Sequence, residues 1–361
     1  MKRFVAWAGA VLGVLLLGFV AFFFWASSGG LSEEALATVK GYPAEATAPG
    51  DTLTVMTYNI GYLSGMTNNE PVVRSDRLFT TNMDQAVALL RADDPDIVGF
   101  QEIDFGGARV KRVHQLDTLG TRLGYPMAAQ AVNWDERYLP FPYGRPAVHF
   151  GRTISGQAVL SRPPIRQHPR TVLSRPPNPF FRDAFYLNRL AQTAVIDVGG
   201  RPLAVINLHL EAYDVETREK QAREVLALYN RLTAQSLPVL LIGDFNSEVT
   251  GADDASAANS DRPTDETARL LLNETGLRAV FPDTVEGTPP ATFPADAPTR
   301  KIDYILYPPE QFVPVDRTVR CGTPSPPSDH CAVVASFRFR SSSADWPAPN
   351  ALPRLDTLLT D

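Results

Sequence analysis

Polar side chains stand where the apolar, β-branched runs of this chain end, and their types would suit acid–base chemistry beside a hard cation. LTVMTYNIGYL breaks at Asn59, and DIVGFQEID breaks at Gln101 and Glu102. LAVINLHLEA places Asn207 and His209 two residues apart, hence on one face of a strand. PVLLIGDFNSE does the same with Asp244 and Asn246, RKIDYILY sets Asp303 among β-branched residues, and PPSDHCAVVASF carries Ser328, Asp329 and His330 ahead of an apolar run. Singly, each has an ordinary structural reading. Asn and Asp at strand ends are commonly turn or cap residues. Glu102 could be a solvated rim residue, His209 a hydrogen-bonded core histidine, and Asp303 an edge charge that discourages aggregation. If these ends meet at one rim, they make a cleft of hard oxygen donors and two imidazoles. Such oxygens suit Mg²⁺ or Mn²⁺ rather than zinc, and imidazoles suit proton transfer and contact with an anionic transition state.

The elements that must position these groups alternate between strand and helix patterns over 51–340, which is expected to form one α/β or α+β domain. Strand patterns occupy 52–60, 96–102, 157–161, 191–198, 203–209, 239–244, 302–307 and 332–339. Helical periodicity covers about 76–92, 215–233 and 265–275. The second helix carries Ala222, Val225, Leu226, Tyr229 and Leu232 on one stripe, and the third stops at Gly276. The small, polar stretch 249–263 is expected as a mobile surface loop, and 163–180, rich in Pro, as another excursion. Segment 133–156 reads as an insertion whose Trp134, Arg137, Tyr138, Phe141, Tyr143 and Arg145 either pack as an ordinary loop, the preferred reading, or form a substrate-facing lip.

Residues 4–25, FVAWAGAVLGVLLLGFVAFFFW, contain no charged residue and are long enough to cross a hydrocarbon core of about 30 Å. Lys2 and Arg3 precede the run, which places residues 1–3 in the cytoplasm and the rest of the chain outside it. A cleaved signal peptide has a shorter apolar region and a small-residue cleavage site, so an uncleaved signal-anchor is the preferred reading. Segment 26–50 then reads as a linker and 341–361 as a tail. These features predict a single-pass cell-membrane protein with an extracytoplasmic body.

Composition excludes several classes. The 34 Lys and Arg against 40 Asp and Glu give a net charge of −6, which argues against non-specific nucleic-acid binding; no dedicated nucleic-acid surface is evident. The 2 Cys cannot make a disulfide framework. Cys321 and Cys331, flanking CGTPSPPSDHC, either pair in an oxidising compartment or stand as two small buried residues.

The ordered set TYNI, GFQEID, GQAVLSRPPI, NLHLEA, GDFNSE, KIDYIL and SDHCAVV resembles the endonuclease/exonuclease/phosphatase superfamily over about 52–339. The resemblance implies a DNase I-like four-layer α/β sandwich, with two packed, mainly antiparallel β-sheets flanked by helices and an active site at one rim. It implies an enzyme, a divalent-metal-dependent hydrolase of phosphoric esters. Glu102 resembles the principal metal ligand, with Asn59 in support and Asp329 able to bind metal or phosphate. Asp244 and Asn246 resemble the pair that positions or activates the attacking water and contacts phosphate. His330 resembles the histidine of the SDH motif, oriented by Asp303, and His209 the histidine of the HLH- or HLE-like strand. Asn207 is implied as a support for the same strand's phosphate contacts, and Mg²⁺ or Mn²⁺ as the cofactor; Arg189 in LNRLAQ is a further candidate substrate contact, to phosphate. IGDFNSEV lacks the Trp and Arg usual in inositol phosphatases. A phosphodiesterase acting on phospholipid or sphingolipid head groups is the first reading of the substrate, an exported nuclease the second, and a non-catalytic binding module on the same fold the third.

Overall fold

The computed structural model describes residues 2–249, 265–282, 290–322, 324–340 and Trp346. The surface loop expected at 249–263 lies outside the described residues beyond Val249, and the tail at 341–361 does so apart from Trp346.

Two sheets stack face to face. The first runs β1 (Ala37–Gly41), β4 (Met127–Leu139), β5 (Gly151–Ser161), β3 (Ile97–Asp104), β2 (Thr52–Asn59), β14 (Ala332–Phe339) and β13 (Phe312–Arg320). The second runs β11 (Arg278–Ala279), β12 (Asp303–Tyr307), β10 (Val239–Asp244), β9 (Pro202–His209), β8 (Leu190–Asp197) and β6 (Ile165–Gln167), with β7 (Arg170–Val172) also paired to β8. Pairing is antiparallel except for β2 with β3 and β9 with β10. The sheets meet through Val55, Ile97, Val159, Val205, Ile242 and Ile305, all fully buried. Outer faces are covered by helices. On the first sheet, α2 (Asp76–Asp93) and α3 (Gln115–Leu123) bury Phe79, Met83, Leu90 and Leu116. On the second, α5 (Val215–Thr233) and α6 (Thr267–Thr275) bury Ala222, Val225, Leu228 and Leu271. The result is the expected four-layer sandwich.

Local chemistry fixes the helix ends. Ser75 accepts from the Leu78 N–H at the start of α2, and Asp214 from the Thr217 N–H at the start of α5. Gly276 closes α6 in the left-handed conformation, as its sequence position predicts.

Several strands escape the sequence reading. The segment expected as an insertion, 133–156, forms the distal halves of β4 and β5, and its aromatics pack on one another. Trp134 meets Phe150 at 6.3 Å and Phe141 meets Phe150 at 5.5 Å between ring centres. The segment expected as a linker, 26–50, contributes β1, which adds an edge to the first sheet along Met127–Ala131.

At the amino-terminal end, Lys2–Ala26 is one helix (α1), apolar beyond Lys2 and Arg3. By length and composition it could cross a membrane, and by position it could be a signal sequence. Its side chains are exposed except at the end, where Phe23 and Ala26 are buried against the body.

Candidate active site

Strand register assembles the cleft. Asp244 at the end of β10 pairs with His209 on one side and Asp303 on the other, so three strand ends set these groups in a row. Gly243 permits the approach: its φ is +136°, and a Cβ there would lie 2.0 Å from the Leu208 carbonyl oxygen. From the facing sheet, Asn59 ends β2 and donates its amide Nδ2 to Asp244 Oδ2 at 3.0 Å.

Glu102 reaches the cleft through a break in β3. Between the pairs Phe100–Ala158 and Ile103–Gly156 the register shifts, so Gln101 and Glu102 together face Gln157. Glu102 takes φ +49°, a conformation a non-glycine residue adopts at a cost, and the bulge re-aims its carboxylate. Asn68 Nδ2 then donates to Glu102 Oε2 at 2.8 Å and sits 3.3 Å from Asp329 Oδ2. Gly61, at φ +47°, makes room for Asp329, because a Cβ there would lie 2.5 Å from its Oδ1.

His330 is held from several sides. Its Nδ1 is 3.0 Å from Asp303 Oδ2, its Nε2 is 3.7 Å from Asp244 Oδ2, and its ring packs on Phe293 at 4.8 Å. The loop bearing it is fixed by Ser328, whose hydroxyl donates to the Asn59 carbonyl at 2.7 Å and accepts from the His330 N–H at 3.1 Å. A disulfide between Cys321 and Cys331 closes the same loop.

The two histidines are tuned in opposite directions. Burial works to strip the proton from His330, but the carboxylates of Asp303, Asp244 and Asp329 outweigh it and push the imidazole up to about 10. Burial lowers His209 well below the ordinary histidine value, and the positive charges of Arg189 and His330 lower it further. Hence His330 is an imidazolium and His209 a neutral ring near pH 7. His209 Nε2 lies 3.6 Å from Asp244 Oδ2 and 3.7 Å from Glu102 Oε1. Burial raises Asp244 to about 7, with His330 opposing and Asp303 adding to the rise. Burial likewise raises Asp329 to about 6, opposed by His330 and reinforced by Glu102.

Two places in the cleft offer ligands to a cation. Asp244, Asp303 and His330 present donor atoms within 4.8 Å of one another, but the imidazolium already supplies positive charge there. Glu102 and Asp329 instead converge on one neutral amide, a hard-oxygen pair that suits a divalent ion. Asn59 is engaged by Asp244 and by the Gly61 N–H, which its Oδ1 accepts at 3.1 Å. It therefore supports this corner of the site.

The remaining residues singled out from sequence sit differently. Asn246, at φ +52°, donates its side chain to the Leu210 carbonyl at 3.0 Å and its N–H to Asp244 Oδ1 at 2.8 Å, so it orients Asp244. Asn207 shares the His209 face but lies one pleat deeper, fully buried between the sheets. It accepts from Gln101 at 2.5 Å and donates to the Phe100 carbonyl at 2.9 Å and to Gln192 at 3.0 Å. Its amide ties the two sheets together. Arg189 is buried at the cleft margin, with its Nε 3.6 Å from Glu211 Oε2 and its Nη1 without a hydrogen-bond partner among the described residues. Asn68, Gly61 and Phe293 were not legible as site residues.

Comparisons with known proteins agree with this fold. The chain is similar to an endonuclease/exonuclease/phosphatase from Beutenbergia cavernae (TM-score 0.55, 22% identity, 80% of this chain and 72% of that one). It is also similar to the catalytic domain of human Nocturnin with bound sulfate (TM-score 0.55, 19% identity, 82% and 97%). A third similar structure is a mannosyl-6-phosphatase from Bacteroides thetaiotaomicron (TM-score 0.53, 18% identity, 80% and 100%). No curated protein sequence matches the chain. At these identities the solved structures speak for the fold. Residues 56–330, which include every strand end that lines the cleft, match the Endonuclease/Exonuclease/phosphatase family, and the chain belongs to that family.

Proposed function

We propose that this protein is a divalent-metal-dependent phosphoesterase that hydrolyses a phosphodiester by in-line attack of water, with α1 anchoring the body at the outer face of a membrane. The observation that carries the reading is the row Asp303–His330–Asp244 beside the Glu102–Asp329 pair, a proton-handling line next to a hard-cation corner.

Glu102 and Asp329 would hold the cation, Mg²⁺ or Mn²⁺, with Asn59 and Asn68 fixing that corner. When bound, the ion neutralises charge on the phosphate oxygens. Asp244, held on one oxygen by the Asn246 N–H and on the other by the Asn59 amide, is placed to accept a proton from the attacking water. As water's oxygen bonds to phosphorus, the P–O bond to the leaving group breaks. Imidazolium His330, oriented by Asp303, donates a hydrogen bond to the anionic phosphate. Neutral His209 and the buried guanidinium of Arg189 would stabilise the negative charge on the leaving oxygen by hydrogen bonding; that oxygen takes its proton from solvent water, and Asp244 returns the proton it accepted to solvent.

Attachment of α1 to the body through Phe23 and Ala26 favours a lipid phosphodiester over nucleic acid, as does the net charge of −6. The test is a substrate panel on the purified full-length chain with Mg²⁺ or Mn²⁺: sphingomyelin, phosphatidylinositol lipids, single-stranded and duplex DNA, RNA and bis-p-nitrophenyl phosphate. Preferential turnover of a lipid supports the first reading, and preferential turnover of DNA or RNA replaces it with a nuclease. Turnover of none with either metal favours a binding module.

A further inference from the structure

Among the described residues outside α1, the phenylalanines left largely exposed are Phe180 and Phe181, at 60% and 65%. They are neighbours in a single-turn helix, α4 (Phe180–Asp183). Both touch the end of α1: Phe23 packs on Phe180 at 5.5 Å and on Phe181 at 5.4 Å, and Phe24 on Phe180 at 6.5 Å. On the far side of the helix end, Phe22 packs on Trp25 and on Tyr138, each at 5.8 Å. An apolar patch on a soluble body would ordinarily be masked. Here it continues the surface of the helix that would cross the bilayer, at the level where aromatic rings concentrate.

Polar groups mark the edge of this patch. Arg137 donates from its Nη1 to the Ser28 hydroxyl at 2.8 Å, just past the end of α1, and Arg182 lies exposed beside the two phenylalanines. Arginines at such an edge can lay their stems along apolar surface and set their charge among phosphate head groups. The chain then runs directly into the cleft. Tyr186 donates to Glu211 at 2.8 Å, Glu211 faces Arg189, and Leu190 pairs with His209.

We propose that α4 and the aromatic end of α1 form one seat in the bilayer interface, which holds the body against the membrane with the His209 side of the cleft at head-group level. The proposal rests on α1 being a membrane anchor and deepens the lipid reading. The cleft does not hang on a tether above the surface; it meets phosphoester head groups in the plane of its own membrane.

The experiment uses the full chain in phosphatidylcholine nanodiscs, with and without brominated acyl chains. Phe181→Trp adds a reporter at the seat, read as the difference from the unsubstituted chain. The added emission should fall at least about twofold with brominated lipid and resist quenching by aqueous iodide. Added emission quenched by iodide and indifferent to brominated lipid would overturn the seat. Failure of the anchor is separable, because the native tryptophans Trp7 and Trp25 would then also escape brominated lipid, and both ideas would fall. In parallel, Phe180→Ser with Phe181→Ser should lower turnover of phosphodiester lipid in nanodiscs about tenfold while leaving bis-p-nitrophenyl phosphate turnover unchanged. Equal turnover of the lipid by both proteins would contradict the proposal. Absence of turnover on either substrate would count against the catalytic reading and leave the quenching result to decide the seat.

Discussion

His330 turns its Nδ1 to Asp303 Oδ2 at 3.0 Å, and this single contact decides what the other ring nitrogen can do. With Nδ1 committed, Nε2 faces Asp244 and the cleft, carrying a proton that the surrounding carboxylates hold in place. Asp303→Asn should therefore lower kcat by about 10²- to 10⁴-fold with little change in KM, because ring orientation and charge are lost while the binding surface stays. Steady-state hydrolysis of bis-p-nitrophenyl phosphate, with circular dichroism to show an intact fold, checks this. A variant within a factor of a few of the parent would remove Asp303 from the mechanism.

Asn68 joins the carboxylates of Glu102 and Asp329 from a loop outside the sheets. Asn68→Ala should weaken activation by Mg²⁺ about 10- to 100-fold, while activity at saturating metal recovers much of the parent value. A metal titration of the hydrolysis rate reads this directly. Unchanged half-saturation would mean that the amide does not organise the cation corner.

Asn207 is expected to behave as a structural residue. Asn207→Leu leaves Gln101 and Gln192 without their buried partner, and should cost about 1–3 kcal/mol of unfolding free energy. Denaturant titration measures that loss, and KM of the folded variant should stay near that of the parent. A large rise in KM with normal stability would instead make Asn207 a substrate contact.

His168 contributes to the loss of stability in acid, alongside the buried His209, whose imidazole is also lowered. Burial lowers the His168 imidazole to about 4, with Nε2 2.9 Å from the Gln192 amide and an enclosed Nδ1 that has no partner among the described residues. The unfolded chain binds this proton near the ordinary histidine value and the folded chain only near 4. Stability should therefore be full above about 6.5 and fall as pH drops towards 4. His168→Gln should flatten that part of the curve. An unchanged acid slope in the variant would show that other groups carry it.

Much of this site is visible in the one-dimensional chain because the strands end on their functional residues. An apolar run that stops at Asn59, Glu102, His209 or Asp244, or that starts at Asp303, announces both the strand and its rim. The period-two rule put Asn207 and His209 on one face, which is correct, but it carries no information about depth, and one pleat separates the rim from the interior. Asn68 lies in a segment without periodicity, so its contacts with Glu102 and Asp329 exist only in three dimensions. The distal part of β4, NWDERYL, lacks clean alternation and leads into Pro-rich sequence, which hid a strand behind the look of a loop. In β13, FVPVDRTVR, Pro314 marks a register shift that breaks the strand pattern. β1 is a short edge strand inside a stretch of spacer-like composition.

The most direct test is the metal dependence of bis-p-nitrophenyl phosphate hydrolysis by the full-length chain and by Glu102→Ala. Turnover that requires Mg²⁺ or Mn²⁺, disappears on chelation, returns when metal is restored, and is lost by at least about 10³-fold in Glu102→Ala is the expected result. Hydrolysis that persists in excess chelator, or that survives Glu102→Ala undiminished, would contradict a metal-dependent phosphoesterase built on this cleft.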